Sequence, residues 1–224
     1  MNKHLKILAL TFKDHVSPHE ISLFRGAVIA SIDDNVDVLY HNHSGDESFR
    51  QRYPLIQYKS LGGRGAIVCV EEGIAAISQF LQSDVRTLSL GQREISAEIL
   101  EVMQSETVMQ LAEDLSIYTI HNWLALNPDN LRRYKKAEGI SERIAILEDI
   151  LKGNILSMCK GIGVYLDDEL KVAITDIHEH RSEYVKGRPL MSFDACFKSN
   201  IILPNYIGLG KYASKGYGII TKRL

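Results

Sequence analysis

The first ninety residues alternate short apolar runs with amphipathic stretches, and this pattern predicts a compact order of strands and helices. Residues 5–12 form an apolar run of the length of a buried strand. Ser17 and Pro18 then give a helix start signal, because Ser caps helices and Pro suits the first helical turn. Apolar residues recur after it at helical spacing, at Ile21, Phe24, Val28 and Ile32.

A hairpin and a second helix follow. Residues 53–61 and 65–73 are strand-like runs on either side of Gly62 and Gly63, which predicts a hairpin turn. Residues 71–82 return to helical spacing, and residues 85–90 supply a further strand before Gly91. The order strand, helix, strand, strand, helix, strand is that of the ferredoxin-like, split βαβ fold. We predict such a domain over residues 1–92.

The remaining residues, 93–224, have the pattern of a second and longer unit of the same kind. An extended, β-rich segment is expected around residues 115–123, and Trp123 within it is predicted to be a core residue. A capped short helix follows at 127–137, and a long amphipathic helix begins at Ile140 and ends near Gly161. Three strand-like stretches then complete the chain, at residues 169–181, 189–201 and 216–224. The predicted fold class is therefore α+β, with two tandem ferredoxin-like (RRM-like) domains.

Composition supports a folded protein and limits how it could bind nucleic acid. The chain of 224 residues is 45% hydrophobic and 24% charged, as in ordinary globular proteins. A formal net charge of −2 argues against coating nucleic acid by bulk electrostatics. The charge is nevertheless segregated, because residues 49–67 hold four cations and no carboxylate, and residues 132–136 hold four more cations. The sequence therefore still allows a local site that binds a polyanion.

The N-terminus and the cysteines predict a cytoplasmic protein. Lys6 and Lys13 interrupt the apolar run at residues 1–15, which also lacks a small-residue cleavage site, so we expect no signal peptide. No stretch approaches the roughly 20 apolar residues that a membrane span needs. Cys69, Cys159 and Cys196 are odd in number, far apart and in apolar surroundings, as expected of buried thiols in a reducing compartment. We expect neither a metal nor another cofactor.

His41 and His43 are candidate proton-transfer residues. They lie two residues apart in a polar loop, and an extended backbone would point both imidazoles to the same side. Imidazole can take a proton from a ribose 2′-hydroxyl, or give one to a departing 5′-oxygen, at neutral pH. Nearby cations would stabilise the charge that builds on the phosphorane. The alternative is that both are exposed loop histidines without a task.

A glycine-rich segment, residues 208–218, is a second candidate site. Gly208, Gly210, Gly216 and Gly218 enclose two lysines, Lys211 and Lys215. Only a short tail follows the last glycine, so the segment is not a dinucleotide-binding fingerprint, which needs a helix after it. Glycines let backbone amides approach a phosphate closely, which favours a phosphodiester-binding loop. A turn between two C-terminal strands explains the same residues equally well.

Taken together, five stretches resemble one known family. They are LFRGAVIASI (23–32), YHNH (40–43), RYPLIQYK (52–59), GAIVCVEEG (65–73) and IGLGKYASKGYGII (207–220). The combination resembles the sixth CRISPR-associated (Cas) protein family, endoribonucleases of the RAMP superfamily that cut the repeats of CRISPR precursor RNA. The resemblance implies two tandem ferredoxin-like domains. It also implies metal-independent cleavage by the 2′-hydroxyl, leaving a 2′,3′-cyclic phosphate and a 5′-hydroxyl.

The resemblance assigns roles to particular residues. His43 becomes the principal catalytic residue, His41 its partner, and Tyr53 an assisting group. The predicted RNA-binding residues are Arg25, Arg50, Arg52, Lys59, Arg64, Gly208, Gly210, Lys211, Lys215, Gly216 and Gly218. The partner is CRISPR repeat RNA, with other CRISPR effector subunits or a second copy of the chain as further candidates. A non-catalytic RNA-binding RAMP protein and a structural subunit of a CRISPR ribonucleoprotein are the alternatives.

Overall fold

The computed structural model describes residues 3–32, 53–185 and 188–223, and within these it divides into two units. The N-terminal unit comprises His4–Thr107 together with Ser214–Gly216. The C-terminal unit comprises Val108–Ala213 and the chain from Tyr217 onward, with Lys3. The division thus falls fifteen residues beyond the predicted one at Gln92, and a short piece of the glycine-rich segment belongs to the N-terminal unit.

The N-terminal unit is a four-stranded sheet with helices packed on it. Its elements are β1 (Lys3–His15), a 3-10 turn (Pro18–Glu20), α1 (Ile21–Ala30), β2 (Ile56–Leu61), β3 (Arg64–Val70), α2 (Glu72–Ala76), α3 (Ser78–Leu81), β4 (Thr87–Leu90), β5 (Arg93–Ser96) and β6 (Ile99–Met109). The sheet has the order β2-β3-β1-β6, and the pairs β1/β3 and β2/β3 are antiparallel. This order of strands confirms the ferredoxin-like fold.

The fourth strand of this sheet was assigned wrongly from the sequence. Residues 85–90 contain β4, which among the described strands pairs with β5, in a separate two-stranded sheet turned at Gly91. Its leucines, Leu88 and Leu90, point into the apolar core, so the strand-like pattern is real. The sheet position belongs instead to β6, whose residues are mostly exposed and therefore lack an apolar alternation.

Aromatic side chains form the centre of the N-terminal core between α1 and the sheet. The ring of Phe12 lies 5.1 Å from that of Phe24 and 5.9 Å from that of Phe80, measured between centroids. Phe24 in turn lies 6.0 Å from Tyr58. All four side chains are at most 5% exposed, which fixes α1 against β1 and β2.

The C-terminal unit repeats the same strand order. Its elements are β7 (Leu111–Trp123), α4 (Pro128–Lys136), α5 (Ile140–Gly161), β8 (Val172–Val185), β9 (Arg188–Ile201) and β10 (Ile219–Lys222). The sheet order β10-β7-β9-β8 places the last strand beside the first, as in the N-terminal sheet. The predicted cap of α4 is confirmed, because the Asn127 side chain accepts a hydrogen bond from the Asn130 amide. The long helix α5 is confirmed as well.

The three cysteines are free thiols in this structure; Cys69 and Cys159 are buried, as the sequence predicts, whereas Cys196 is half-buried. Desolvation raises the pKa of Cys69 to about 12 and that of Cys159 to about 11. Both side chains are buried, so they are core residues and poor nucleophiles. Among the described residues, no helix is long and apolar enough to cross a membrane.

Candidate active site

The predicted catalytic histidines fall in a part of the chain that the structure does not describe. His41 and His43, with Arg50 and Arg52, belong to residues 33–52, so their roles stay predictions. The described chain stops at Ile32, just past the end of α1, and resumes at the half-buried Tyr53, three residues before β2. Residues 33–52 therefore lie between α1 and β2 of the N-terminal unit in the sequence.

Part of the glycine-rich segment packs on the edge of β2. The backbone amide of Tyr58 donates a hydrogen bond of 3.1 Å to the carbonyl of Ser214, and Lys215 forms a parallel bridge with Tyr58. Because β2 is an edge strand of the sheet, its outer backbone groups are available for this pairing. Lys215 is thereby held beside the strand that follows the predicted catalytic loop.

Gly216 fits this position because it has no side chain. Its φ of +84° lies in the left-handed region, which residues other than glycine rarely adopt. A Cβ built on it would lie 3.5 Å from Ile21 side-chain carbons and from the Tyr58 carbonyl oxygen. That is an ordinary van der Waals distance, so the left-handed backbone, and not lack of space beside α1 and β2, favours glycine here.

Arg25 joins Lys215 and Gly216 around Tyr58. Its guanidinium carbon lies 6.0 Å from the centroid of the Tyr58 ring, within the range of a cation–π contact. The structure thus brings three predicted RNA-binding residues, Arg25, Lys215 and Gly216, to one residue of β2. Tyr58 itself was missed, because nothing in its sequence neighbourhood separates it from an ordinary core tyrosine.

Lys59 lies in a different environment from the one predicted. Successive residues of a strand point to opposite faces, so Lys59 faces away from the core that contains Tyr58. Its side chain is 0% exposed, and burial lowers its pKa to about 7. An ammonium in this position has no access to solvent, so we do not include Lys59 among the proposed phosphate contacts.

Arg64 is exposed but lies at the other end of the hairpin from Tyr53. It begins β3, and its guanidinium donates a hydrogen bond to the carbonyl of Lys13. A six-residue strand is about 17 Å long at a rise of about 3.3 Å per residue. The structure therefore does not bring Arg64 together with Tyr53.

The other glycines of the segment, Gly208, Gly210 and Gly218, lie in the C-terminal unit. Gly208 pairs with Ile219, and the Leu209 amide donates to the Gly218 carbonyl at 2.8 Å. Gly210 and Gly218 have φ values of +80° and +64°. A Cβ at Gly218 would overlap the Leu209 carbonyl oxygen. The backbone between β9 and β10 is thus paired and packed, which does not fit a simple turn.

Lys211, next to Gly210, is exposed and extends over an aromatic ring. Its Nζ lies 5.3 Å from the centroid of Tyr212, and the Tyr212 ring lies 6.1 Å from that of Tyr217. Tyr212 has a φ of +58°, an uncommon value for a residue with a side chain. The lysine and two tyrosines form a basic and aromatic surface, a combination that suits contact with phosphates and bases.

Comparisons with known proteins agree with this architecture over nearly the whole chain. Residues 3–108 match the model of the Cas6b N-terminal domain, and residues 110–223 match that of the Cas6b C-terminal domain. An uncharacterized protein of Methanocaldococcus jannaschii is 34% identical over 113 residues, which are 50% of this chain and 76% of that protein.

Solved structures give the same result. A crystal structure of Cas6b superposes with a TM-score of 0.88 at 25% identity, covering 99% of this chain and 100% of that one. A second, named as the CRISPR RNA processing endoribonuclease Cas6b, has a TM-score of 0.76 at 24% identity and the same coverage. With both domain models matched in order along the chain, this protein belongs to the Cas6b family.

Proposed function

We propose that this chain is an endoribonuclease that cuts CRISPR precursor RNA within its repeats. Membership of the Cas6b family supports this activity, as does the name of one similar crystal structure, a CRISPR RNA processing endoribonuclease. The structural observation that carries the proposal is the packing of Ser214–Gly216 on β2. It holds a lysine and a glycine beside the strand into which the histidine loop leads.

The proposed chemistry is an attack by the RNA on itself. One of His41 and His43 takes the proton of the 2′-hydroxyl, whose oxygen then attacks the adjacent phosphorus. The bond from phosphorus to the 5′-oxygen breaks, and the other histidine gives a proton to that oxygen. The products are a 2′,3′-cyclic phosphate and a 5′-hydroxyl. The nucleophile is already part of the RNA, so the step needs no metal ion.

Cations near β2 support charge stabilisation in this step. Arg25 and Lys215 both contact Tyr58, one through its ring and the other through its backbone. In the proposal they bind the scissile phosphate or its neighbours, while Lys211 binds the backbone further along. Tyr53 stands at the end of the histidine loop and orients the reacting groups. Groups held in place before the substrate arrives stabilise a transition state better than groups that must rearrange.

The test is cleavage of a cognate repeat RNA in EDTA by the wild type, His43→Ala, His41→Ala and the double variant. We expect the wild type to cut and each single variant to lose activity by at least about a hundredfold, the lower end of the usual range for general acid–base groups. An RNA with a single 2′-deoxy nucleotide at the cut site should bind and stay intact. Full activity of the double variant, or no cutting in EDTA, would overturn the mechanism.

The same assay separates the alternative function. A non-catalytic RNA-binding protein would bind the repeat RNA equally well with or without both histidines and would leave it uncut. A location in the cytoplasm, association with other CRISPR effector subunits and pairing with a second copy of the chain remain predictions.

A further inference from the structure

The last residues of β7 contact the glycine-rich segment at two places, on either side of residues 211–217. At one end, the Gly218 amide donates a 3.1 Å hydrogen bond to the carbonyl of Asn122. At the other, Gly210 packs against Trp123, the residue after Asn122, and against Asn154 of α5. Residues 211–217, which carry Lys211 and Lys215, therefore begin and end beside two consecutive residues of β7, Trp123 and Asn122.

Asn154 and Trp123 form the contact at Gly210. The indole Nε1 of Trp123 donates a 2.9 Å hydrogen bond to the Asn154 side-chain oxygen. A Cβ at Gly210 would lie 2.6 Å from that oxygen and 3.2 Å from the indole nitrogen. The backbone of Gly210 thus lies directly on this hydrogen bond, and only glycine leaves room for it.

The residues around this contact are buried or hydrogen-bonded. Trp123 is 0% exposed, with its ring 6.2 Å from that of Phe193 on the neighbouring strand. Asn122 has a φ of +50°, and its amide donates a 2.7 Å hydrogen bond to the Asp194 carboxylate. This bond fixes the irregular backbone at the end of β7, from which the Asn122 carbonyl reaches Gly218. The two attachment points therefore have little freedom to shift independently.

We propose that Asn154 is a positioning residue for RNA cleavage. By accepting the Trp123 hydrogen bond it fixes the surface on which Gly210 rests, and so sets where the phosphate-binding part of the segment begins. The inference rests on the proposed function, since it assigns a role within that reaction. Asn154 touches no substrate in this scheme, and its effect passes through the segment.

The experiment compares Asn154→Leu with Asn154→Asp. Leucine has the same number and branching of side-chain heavy atoms as asparagine but is bulkier and has no acceptor, whereas aspartate keeps an oxygen for the Trp123 donor. We expect Asn154→Leu to lower the single-turnover cleavage rate by about tenfold to a hundredfold, the penalty typical of a displacement near 1 Å at a reacting centre. Asn154→Asp should cut within about threefold of the wild type, because a carboxylate accepts such a bond at least as well.

Two further measurements distinguish positioning from loss of folding. Ile155→Val, at the fully buried neighbour of Asn154 on α5, should lower the melting temperature and cut at the wild-type rate, because Ile155 is not among the nearest neighbours of Gly210. Hydrogen exchange of the backbone amides of residues 209–218 should accelerate in Asn154→Leu and not in Ile155→Val. If the leucine variant does not fold, Asn154→Ala removes the acceptor without adding an apolar branch.

The outcomes separate this inference from the activity on which it rests. Absence of cutting by the wild type would overturn the proposed function. Wild-type cutting and unchanged exchange in Asn154→Leu would overturn only the role of Asn154. A loss in Asn154→Leu that Asn154→Asp does not restore, or that Ile155→Val reproduces, would show that the contact is merely structural.

Discussion

Lys215 is paired through its backbone with Tyr58, on the edge of the strand that follows the predicted catalytic loop. The pairing adds a short parallel bridge to the edge of the sheet, and the Arg25 guanidinium lies over the ring of the same tyrosine. Two cations predicted from separate parts of the sequence thus meet at one tyrosine. Their side chains are the first that we would remove to test RNA binding.

Neutralising Lys215 should weaken RNA binding in a salt-dependent way. Each phosphate contact with single-stranded RNA contributes about 0.7 to the slope of log K against log salt concentration. We therefore expect Lys215→Gln and Arg25→Gln each to reduce this slope by about that amount, and to raise the Kd about tenfold at low salt. Binding of a repeat RNA with a 2′-deoxy cut site, measured across a salt series, checks this.

Lys160→Gln is the matched control, since Lys160 is exposed in the last turn of α5 and has no proposed contact with RNA. It should leave both the slope and the Kd unchanged. An equal change in all three variants would mean that only the net charge matters.

Gly218→Ala should destabilise the C-terminal unit strongly. Its φ of +64° strains any residue with a side chain, and the new Cβ would overlap the Leu209 carbonyl oxygen, which is backbone and cannot rotate away. We expect a loss of at least about 2 kcal/mol in the free energy of unfolding, measured in urea.

Gly153→Ala is the opposite case. Gly153 lies inside α5, and a Cβ there would meet nothing within 4 Å. Alanine should stabilise the protein by about 0.5–1 kcal/mol, because it restricts the unfolded chain more than glycine does. If both alanine variants changed stability in the same direction, the left-handed backbone at Gly218 would not be the cause.

The secondary structure could be predicted where one face of an element is buried. The apolar spacing of α1 and α5 and the continuous apolar runs of β1 and β3 follow directly from the burial of those faces. The failure at β6 has the same origin. A strand that is exposed over most of its length carries no apolar pattern, while the hairpin strand β4 carries a clear one. Which of the two enters the sheet is decided by tertiary pairing.

For the site, charge could be read from the sequence but exposure could not. Lys59 and Lys215 look equally available in the sequence, yet one is buried and the other lies on the edge of β2. Lys59 is part of β2 and its side chain points to a buried face. Lys215 reaches the edge of β2 only by pairing with Tyr58, more than 150 residues earlier in the chain. Asn154 was missed for a related reason, because a single polar residue on an amphipathic helix carries no signal of its Trp123 partner.

Acid should destabilise the N-terminal unit partly through Glu20. The hydrogen bond from Arg93, at 2.7 Å, and the backbone amide of Ser17 lower the pKa of Glu20 to about 2. A lowered pKa means that the contribution is complete above the unfolded value of about 4.3 and is lost as the pH falls towards 2. The pair is partly exposed, so we expect less than about 1 kcal/mol.

Urea unfolding of the wild type and Glu20→Gln between pH 2 and 7 tests this contribution. The two curves should differ at pH 7 and converge near pH 2. Glu98→Gln, which removes the more exposed pair with Lys13, should show a smaller difference at pH 7. A constant difference across the range would exclude titration of Glu20 as the cause.

Alkaline pH should stabilise the protein through Lys59. Burial lowers the pKa of this lysine to about 7, whereas in the unfolded chain it titrates near its ordinary value of about 10.4. Between these values the unfolded state binds more protons, so the free energy of unfolding rises with pH, by up to about 1.4 kcal/mol per unit. Below pH 7 the cost of burying the charge is present in full. Lys59→Met should therefore be more stable than the wild type at pH 7, and the advantage should shrink towards pH 9 in urea titrations.

Lys160→Met, at an exposed position, should keep the rise seen in the wild type. Parallel curves for the wild type and Lys59→Met would mean that Lys59 keeps an ordinary pKa in the folded protein.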